Sequence, residues 1–567
     1  MKNSMKPLAV AAAFALLLSA CASAPRAPAA PIEINLVALN DLHGNLEASK
    51  FNYASVSDAQ PRSVSAGGID TLAAALQAWR EEDRELLLVG AGDMIGASPA
   101  MSSMWADEPT IGALNRLGLG ATSVGNHEFD AGRVELLRQQ RGGCQSPRPD
   151  KACKLAPLYD GARFTYLAAN VIDAATGQPF LPAYRIEQAH GVKIAFIGAV
   201  LKDTASAALA SGIAGLNFVD EADAINRVLP ALRAQGVGVF VVLIHQGGRT
   251  TDYFDQADCA HLNGPIVDVV KRLDPAIRLV VSGHSHTGYL CRVDGRLVTQ
   301  AEMGGHVLSR IKLSVDAASN SVREVSASNV VMTPGVYPAD PAMDAYLAQV
   351  RQRSQAVLAR PVARIAVASV GRAHDAGGES ALGDLVADAM LAATRDAGLQ
   401  IAFMNNGGMR RDLEAGADLV VNYAQVQAVQ PFGNTMVVMT LTGAQIRTLL
   451  EQQWPGQEAD EHGLLQVSRG FAYRWDGRRP LNQRVLAGSV TLNGVALADD
   501  QAYRVVVNNF LAEGGDNFPL FVKGVERTDT GLRDIDVFSA YLADGQARGQ
   551  PVGSATPAGR IVRQPSL

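Results

Sequence analysis

The sequence predicts an α/β protein made of two domains. Short apolar runs rich in β-branched residues recur along the chain, and runs of this length are typical of strands buried on both faces. Helical patterns at residues 68–79 and 222–234 lie between some of these runs, and this alternation indicates layers of helices and strands. A length of 567 residues exceeds what one hydrophobic core usually supports, so more than one domain is expected.

The apolar runs and the prolines indicate where the domains divide. The first part of the chain has strand-like runs at 34–39, 86–89, 121–124, 194–197, 239–244 and 279–281. Prolines at 334, 338 and 341 then interrupt the chain, and residues 343–358 have a helical pattern. We therefore expect a first domain over 33–335, a linker helix within 336–360 and a second domain over 361–567. In the second domain the patterns predict a helix at 382–393 and strands at 436–441 and 503–507.

The residues before the first domain predict export. A positively charged start precedes an apolar stretch at 8–18 that is too short to span a bilayer. The sequence Leu18-Ser19-Ala20-Cys21 resembles a bacterial lipobox, in which the cysteine becomes the lipidated first residue. The alternative is an ordinary cleavage site with an incidental cysteine. We expect a lipoprotein signal peptide at 1–20, a flexible tether at 21–32, and a location in the bacterial periplasm or at the outer membrane, with a lipid anchor on Cys21.

Export also affects how the other four cysteines are interpreted. In an oxidising compartment an even number of cysteines suggests disulfides, and four cysteines allow three pairings. We favour Cys144–Cys153, which would close a loop rich in proline and charge. The second pair would then be Cys259–Cys291, which would join segments that flank a histidine motif.

The overall charge limits the kind of ligand. A net charge of −6 and a pI near 6.0 argue against a nucleic-acid polymer as partner, because such binding requires a basic face that displaces counterions. A small phosphorylated substrate remains compatible with this charge, since a bound metal ion can supply local positive charge.

Five clusters of potential metal ligands follow the strand-like runs of the first domain. They are Asp41 with His43, Asp93, Asn126 with His127, His245, and His284 with His286. Carboxylate, imidazole and amide groups suit zinc, manganese or similar divalent ions. A single histidine after an apolar run is more commonly a core or surface residue, but five such clusters predict a metal centre. One aspartate can bridge two cations, and the two cations together clamp the oxygens of a phosphoryl transfer.

The residues around these clusters resemble the motifs of the calcineurin-like metallophosphoesterases. The motifs, which keep the family's order over roughly residues 33–330, are Asn40-Asp41-Leu42-His43-Gly44, Gly92-Asp93, Gly125-Asn126-His127-Glu128-Phe129-Asp130, Ile244-His245-Gln246-Gly247 and Gly283-His284-Ser285-His286. The resemblance implies a four-layer domain, in which helices flank a β-sandwich, and two divalent metal ions such as zinc or manganese.

The same resemblance implies a role for each of these residues. Asp93 would bridge the two ions, with Asp41, His43 and His286 completing one site and Asn126, His245 and His284 the other. His127 would be the catalytic histidine, which neutralises charge on the phosphoryl group or the leaving oxygen. Asp130 would orient its imidazole; the alternative for Asp130 is a helix N-cap or first-turn acid.

Stretches of the second domain resemble the α/β substrate domain of the 5′-nucleotidases, both the bacterial periplasmic 5′-nucleotidase/UDP-sugar hydrolase type and the animal ecto-enzymes. They are Glu379-Ser380-Ala381-Leu382-Gly383-Asp384, Asn405-Asn406-Gly407-Gly408-Met409-Arg410, Gln430-Pro431-Phe432-Gly433-Asn434-Thr435 and Asn509-Phe510-Leu511-Ala512-Glu513-Gly514-Gly515-Asp516. With the first domain included, the resemblance spans nearly all of the chain beyond residue 32.

The chemistry of these stretches suits a nucleotide. Phe432 and Phe510 could sandwich a base, although core packing is the commoner role of a phenylalanine. Asp516 could accept hydrogen bonds from ribose hydroxyls, and the planar guanidinium of Arg410 suits phosphate oxygens. The full set of expected substrate contacts is Asn126, Arg372, Asn405, Arg410, Phe432, Asn434, Phe510 and Asp516.

Two positions depart from the family's pattern. Arg372 is the only arginine shortly before Glu379, where family members commonly have more, so the phosphate clamp is expected to be thinner or differently placed. Asn406 replaces a glycine of the usual run, and asparagine tolerates positive φ better than most residues.

The leading hypothesis is metal-dependent hydrolysis of nucleoside 5′-monophosphates to nucleoside and phosphate in the cell envelope, by a monomer. The alternatives with the same metals are a UDP-sugar diphosphatase, a 2′,3′-cyclic nucleotide phosphodiesterase, or an enzyme for a sulfur-bound conjugate. The aromatic pair argues against the sulfur substrate, which has no base to stack. A different class is a catalytically silent, nucleotide-binding surface lipoprotein, which the chemically intact ligand positions disfavour.

Overall fold

The computed structural model describes residues 30–394, 398–454 and 463–564. The predicted signal peptide, the predicted lipidation site Cys21 and most of the predicted tether lie outside the described residues. Among the helices that the structure describes, none has both the length and the apolar character needed to cross a membrane.

Two six-stranded sheets form the centre of the first domain. Its strands are β1 (Ile32–Leu39), β2 (Ala48–Ser55), β3 (Asp58–Gly67), β4 (Leu87–Ala91), β5 (Leu119–Ser123), β6 (Thr165–Leu167), β7 (Val171–Asp173), β8 (Tyr184–Ala189), β9 (Val192–Val200), β10 (Leu216–Phe218), β11 (Val239–His245), β12 (Ile277–Ser282), β13 (Tyr289–Val293), β14 (Arg296–Gln300), β15 (Val307–Asp316) and β16 (Ser321–Val331). One sheet has the order β16-β15-β1-β4-β5-β6 and the other β13-β14-β12-β11-β9-β8. The central strands of each sheet run parallel to one another.

Helices cover the outer faces of both sheets. Those of the first domain are α1 (Ile69–Glu82), α2 (Ala100–Ser103), α3 (Glu108–Leu117), α4 (Gly132–Arg141), α5 (Thr204–Ala207), α6 (Glu221–Ala234) and α7 (Pro265–Lys271). One apolar core lies between the sheets and includes Leu36 and Phe196. A second joins the first sheet to α1 and α3, and a third joins the other sheet to α6 and α7. The predicted four layers, with helices flanking a β-sandwich, are thus confirmed.

The helix between the domains packs onto the first of them. It is α8 (Pro341–Leu358), and Asp340 caps its start. The Asp340 carboxylate accepts hydrogen bonds from the backbone N–H groups of Ala342 and Met343. Met343 and Leu347 belong to the same core as α1, and Trp105 Nε1 donates to Ser354 Oγ over 2.8 Å. The predicted linker is therefore helical and anchored along one face.

The second domain is a smaller α/β unit. Its strands are β17 (Pro361–Arg364), β18 (Ser369–Val370), β19 (Ile401–Met404), β20 (Leu413–Glu414), β21 (Val420–Asn422), β22 (Thr435–Thr442), β23 (Gln466–Val467), β24 (Phe471–Trp475), β25 (Thr491–Leu492), β26 (Val495–Ala496), β27 (Ala502–Asn508), β28 (Val525–Arg533) and β29 (Ile561–Arg563). Its helices are α9 (Ala381–Ala393), α10 (Tyr423–Val429), α11 (Gly443–Glu451), α12 (Asn509–Ala512) and α13 (Asp534–Ala547). A five-stranded sheet, β23-β19-β27-β22-β28, has an apolar core on each face.

Both predicted disulfides are present. Cys144 is bonded to Cys153, which closes the loop after α4, and Cys259 is bonded to Cys291 of β13. The prediction made from the even number of cysteines is confirmed.

A buried acid pair fixes the last described strand and predicts a pH effect on stability. Asp384 Oδ2 accepts a hydrogen bond from Ala558 N over 2.8 Å, and Glu379 accepts one from Ile561 N. Burial raises the pKa of Asp384 from 3.8 to about 8; Arg560 opposes this rise and Glu379 adds to it. A raised pKa contributes stability that is complete below pH 3.8 and lost as the pH rises through about 8.

We therefore expect the melting temperature of the wild-type protein to fall between pH 6 and pH 9. An Asp384→Asn substitution, which resembles the protonated acid, should flatten this dependence in calorimetric melts. Asp499→Asn alters an exposed acid of the same domain and serves as the control. Equal pH slopes in the wild type and Asp384→Asn would contradict the prediction.

Candidate active site

The predicted metal ligands lie at the carboxyl ends of the central strands. Asp41 follows β1 and Asp93 follows β4 in one sheet, whereas His245 ends β11 and His284 follows β12 in the other. Because these strands are parallel within each sheet, their carboxyl ends meet at one edge, where such folds place their sites. The backbone is left-handed at several of these positions, with φ of 49° at Asp41, 45° at His43, 52° at Asp93, 76° at His284 and 54° at His286. Strain of this kind concentrates at functional sites.

The ligand side chains converge in overlapping groups. Three sets each have potential ligand atoms within 4.8 Å of one another, namely Asp41, His43 and His286; His43, Asp93 and His127; and Asp41, Asp93 and His245. His284 Nδ1 lies 3.1 Å from Asn126 Oδ1, and its ring is 5.2 Å from that of His245. The structure therefore brings all seven predicted ligands to one place.

Two buried carboxylates dominate the electrostatics of this cluster. Asp41 and Asp93 are 0% and 1% exposed. Burial opposes the charge of Asp93, but His245 and His127 outweigh it and hold the pKa of Asp93 well below its usual range. Burial also opposes a charge on His245, yet Asp93 and Asp41 raise its pKa to about 10. The cluster thus attracts positive charge, which is the field that divalent cations require.

The histidines are oriented for cation binding. His245 Nδ1 lies 2.8 Å from the Ala91 carbonyl oxygen, and His43 Nδ1 lies 3.0 Å from that of Gly96. Both rings therefore turn Nε2 into the cluster, as carbonyl-supported imidazoles do in metal sites. His245 Nε2 is buried 3.0 Å from Asp93 Oδ2 but without the alignment of a hydrogen bond. A buried ring nitrogen that has no hydrogen bond and lies beside ionised carboxylates is suited to bind a divalent cation.

The predicted catalytic pair has the expected geometry. His127 Nδ1 lies 2.9 and 3.0 Å from the two carboxylate oxygens of Asp130. Asp130 is neither the N-cap nor a first-turn acid of α4, since Ala131 is the N-cap and the helix begins at Gly132. The His127 ring also stacks on the ring of Phe432 in the second domain, with 5.8 Å between the ring centroids and 19° between the ring planes.

Glu128 supports the cluster in a way that the sequence did not reveal. Its buried carboxylate accepts hydrogen bonds from the backbone N–H groups of Asp93 over 2.9 Å, Met94 over 2.8 Å and Gly125 over 2.5 Å. It therefore ties two ligand-bearing loops together. Its place between His127 and Asp130 in one motif was the available signal, but its partners Asp93 and Met94 lie on another loop.

One cleft connects this cluster with the second domain. Its volume is about 550 Å³, within the range of roughly 300–1,000 Å³ that small-molecule sites occupy. The predicted residues that line it are Asn126, His127, Asp130, His284, Asn405, Arg410, Phe432, Asn434, Phe510 and Asp516.

The two phenylalanines belong to the cleft rather than to a core. Phe432 and Phe510 are both half-buried, and neither is part of a described core cluster. The Phe510 ring lies on Gly515, where an added Cβ would be 2.5 Å from Cε2, so this position requires glycine. Asn405 Nδ2 donates to Asp516 Oδ2 over 2.7 Å and thereby holds that carboxylate in the cleft wall.

Two departures noted in the sequence have structural explanations. Arg372 is not among the described residues that line the cleft, because its Nη1 donates to the Arg410 carbonyl oxygen over 3.1 Å and supports the backbone there. Asn406 does not need positive φ, contrary to expectation, because it begins a 3-10 turn, Asn406–Gly408, with ordinary helical backbone.

Other cleft residues lie outside the predicted motifs. Residues 207–209, 211 and 212 of the first domain line the cleft, and Ser211 N donates to Glu513 Oε2 over 2.9 Å. The loop closed by Cys144–Cys153 contributes Arg148 and Lys151, and β28 contributes Arg533. No motif marked these positions, since only the folded chain brings the two domains together here.

Models of two protein families match the chain. Residues 34–288 match the calcineurin-like phosphoesterases, and residues 361–523 match the C-terminal domain of the 5′-nucleotidases. The two matches fall on the two domains described above, with the ligand cluster in the first and both phenylalanines in the second.

Individual relatives cover most of the chain. The chain is 29% identical to "Endonuclease YhcR" of Bacillus subtilis over 91% of its own length and 40% of that protein. It is 30% identical to "Cell wall protein Lmo0130" of Listeria monocytogenes over 95% of its own length and 70% of that protein. A crystal structure of a 5′-nucleotidase precursor from Thermus thermophilus matches with a TM-score of 0.74 and 27% identity, over 94% of this chain and 100% of that one.

Proposed function

Since the chain belongs to the 5′-nucleotidase family, whose members hydrolyse phosphoric esters, we propose that it hydrolyses nucleoside 5′-monophosphates to nucleoside and phosphate. One observation carries the proposal. A single cleft is lined both by residues of the ligand cluster, Asn126 and His284, and by the half-buried Phe432 and Phe510, with Phe432 stacked on the His127 ring. A mononucleotide needs this combination, because it carries a phosphate and an aromatic base in one small molecule.

The buried cluster would hold two divalent cations. Asp93 would bridge them, with Asp41, His43 and His286 on one side and Asn126, His245 and His284 on the other. The potential ligand atoms of these side chains lie close together, and the buried carboxylates of Asp41 and Asp93 supply the negative charge. When bound, such cations supply Lewis acidity to the phosphoryl oxygens and bring the pKa of water towards neutrality.

His127 would act on the reacting phosphate. Burial opposes a charge on this imidazole, but Asp130 and Asp93 outweigh it and raise the pKa of His127. With Nδ1 held by Asp130, the ring can present a proton on Nε2 to the leaving oxygen. Arg410 lines the same end of the cleft and would add a second positive charge against the phosphate.

The second domain would bind the nucleoside. Asp516, held by Asn405, would accept hydrogen bonds from ribose hydroxyls, and Asn434 would contact the base. Phe432 and Phe510 would stack on the base; stacking of this kind contributes about 1–3 kcal/mol per base.

We place this activity in the cell envelope, with a monomer attached through a lipid on Cys21. The apolar start of the chain, the lipobox-like residues 18–21 and the paired cysteines support export. A relative with 30% identity is named a cell wall protein. Labelling with a radioactive fatty acid, lost in a Cys21→Ser variant, would test the anchor.

Phosphate release from a panel of substrates tests the function. The panel contains nucleoside monophosphates, UDP-glucose, cyclic nucleotides and p-nitrophenyl phosphate, each with added Mn²⁺ or Zn²⁺ and with chelator. We expect chelator-sensitive release, strongest for the monophosphates. Phe510→Ala should lower kcat/KM for AMP roughly ten- to hundredfold, as expected for a lost stacking contact, and should affect p-nitrophenyl phosphate much less.

Tyr53→Ala is the matched control, because Tyr53 is a half-buried aromatic residue outside the cleft. Activity on the nitrophenyl ester alone would retain the metal centre and refute the nucleotide site. The absence of activity with every metal would favour a nucleotide-binding protein without catalysis.

A further inference from the structure

One part of the cleft wall carries charged side chains that the proposed reaction does not use. This wall belongs to the loop at residues 142–161, which follows α4 and is closed by Cys144–Cys153. Arg148 and Lys151 of this loop line the cleft, and Asn434 and Arg533 line it from the second domain. None of these side chains belongs to the ligand cluster, and Asn434 is one of the proposed contacts of the base.

The charged groups of this wall are paired, with one exception. Arg148 Nη2 lies 2.8 Å from Glu135 Oε1, and its Nη1 lies 3.4 Å from Asp107 Oδ2. Arg533 is paired with Asp536 of its own domain and, over 3.5 Å, with Asp150 of the loop. Within the described part of the chain, no hydrogen bond or salt bridge joins Lys151 Nζ to another side chain.

The loop that bears Lys151 is held in place by buried contacts. Arg138, which is 5% exposed, lies 2.8 Å from both Glu108 and Glu135 and donates to the Gly143 carbonyl oxygen. Cys153 N donates to Glu108 Oε1 over 2.9 Å, and Lys151 N donates to the Arg148 carbonyl oxygen over 3.0 Å. The ammonium is therefore positioned by a fixed loop rather than by a free one.

Lys151 lies opposite the segment that carries the base-binding residues. Asp534 accepts a hydrogen bond from Asn434 N over 3.0 Å and so fixes the turn after Phe432. Burial raises the pKa of Asp534 to about 7, and the hydrogen bonds from Ile535 and Asn434 and the charge of Lys151 oppose that rise. Lys151 thus acts electrostatically on the residue that positions Asn434.

We propose that Lys151 donates a hydrogen bond to the far edge of the base and makes the cleft selective for bases with a carbonyl oxygen there. These are the 6-oxopurines and 4-oxopyrimidines, as opposed to the 6-amino and 4-amino bases. The inference rests on the proposed nucleotidase function. An ammonium has three N–H donors and no acceptor, so a carbonyl oxygen satisfies it. An amino group presents N–H to it and leaves the half-buried ammonium without a partner, which disfavours binding.

Matched substrate pairs test this selectivity. The kcat/KM values of IMP and AMP, and of UMP and CMP, are compared for the metal-loaded wild type, Lys151→Met and Lys154→Met. We expect the wild type to favour the oxo member of each pair roughly ten- to hundredfold, the scale of a charged hydrogen bond. The ratio should fall towards unity in Lys151→Met. Lys154 is an exposed lysine on the same loop outside the cleft, and Lys154→Met should keep the wild-type ratio.

A ratio near unity in the wild type, or an unchanged ratio in Lys151→Met, would overturn the proposal. Should Lys151→Met fail to fold, Lys151→Gln takes its place, because its amide keeps a donor but adds an acceptor and should give an intermediate ratio. If the wild type released phosphate from none of the four nucleotides, the proposed function itself would be refuted, and the selectivity with it. Release with equal ratios would refute the selectivity alone.

Discussion

Replacing Asp93 by asparagine should reduce phosphate release by roughly 10²- to 10³-fold, the scale on which lost electrostatic stabilisation acts. The Asp93 carboxylate lies 3.0 Å from His245 Nε2 and 3.6 Å from His43 Nε2, and it accepts a hydrogen bond from His127 N. Asparagine has nearly the same shape and keeps an acceptor for His127, so the fold should persist. It removes one of the two buried negative charges that would balance a pair of cations.

Phosphate release and the metal content of the dialysed protein measure this effect. The control is Asp83→Asn, because Asp83 also pairs with a histidine, His190 over 3.1 Å, but precedes β4 at the end opposite the cluster. It should keep both the metal and the activity. Wild-type metal content and turnover in Asp93→Asn would contradict the assignment of Asp93. Retained metal with lost turnover would show that its charge is needed for the chemistry more than for binding.

The ligand cluster could be predicted from the sequence because each ligand follows a recognisable strand. A buried strand has a strong apolar signal, and the carboxyl ends of parallel neighbours meet, so Asp41 and Asp93 had to lie close together. The phenylalanines could be predicted for a related reason. Phe432 and Phe510 stand beside glycine and asparagine rather than within apolar runs, and both are half-buried in the cleft.

Contacts between distant segments could not be predicted in this way. Arg372 was expected at the phosphate, but its guanidinium binds a carbonyl oxygen that only the folded turn presents. Lys151 is one charged residue of a polar loop in the sequence, and its place in the cleft depends on a disulfide and on Arg138, which is buried by tertiary contacts. Nothing in the local pattern encodes such partners.

The ends of secondary-structure elements were also beyond the apolar pattern. The linker helix, predicted at 343–358, begins at Pro341 because Asp340 caps it. The hairpin of β2 and β3 was not predicted, since its residues are largely polar and its register depends on pairing rather than on burial. Helix caps and strand pairing depend on specific hydrogen bonds, whereas the apolar pattern indicates only which residues are buried.

Replacing Glu128 by alanine should destabilise the first domain and weaken its affinity for metal ions. The substitution leaves the buried N–H groups of Asp93, Met94 and Gly125 without an acceptor. Each unsatisfied group costs about 1–3 kcal/mol, so the free energy of unfolding should fall by about 3 kcal/mol or more.

Both ligand loops would also lose the carboxylate that joins them. Because Glu128→Gln keeps one oxygen acceptor for these N–H groups, it should lose less stability and less metal affinity than Glu128→Ala. Chemical denaturation and metal titration measure the two effects, and the exposed Glu81→Ala is the control, with an expected change within about 0.5 kcal/mol. A Glu128→Ala variant with wild-type stability and metal affinity would show that water can replace the carboxylate and that these loops hold their geometry without it.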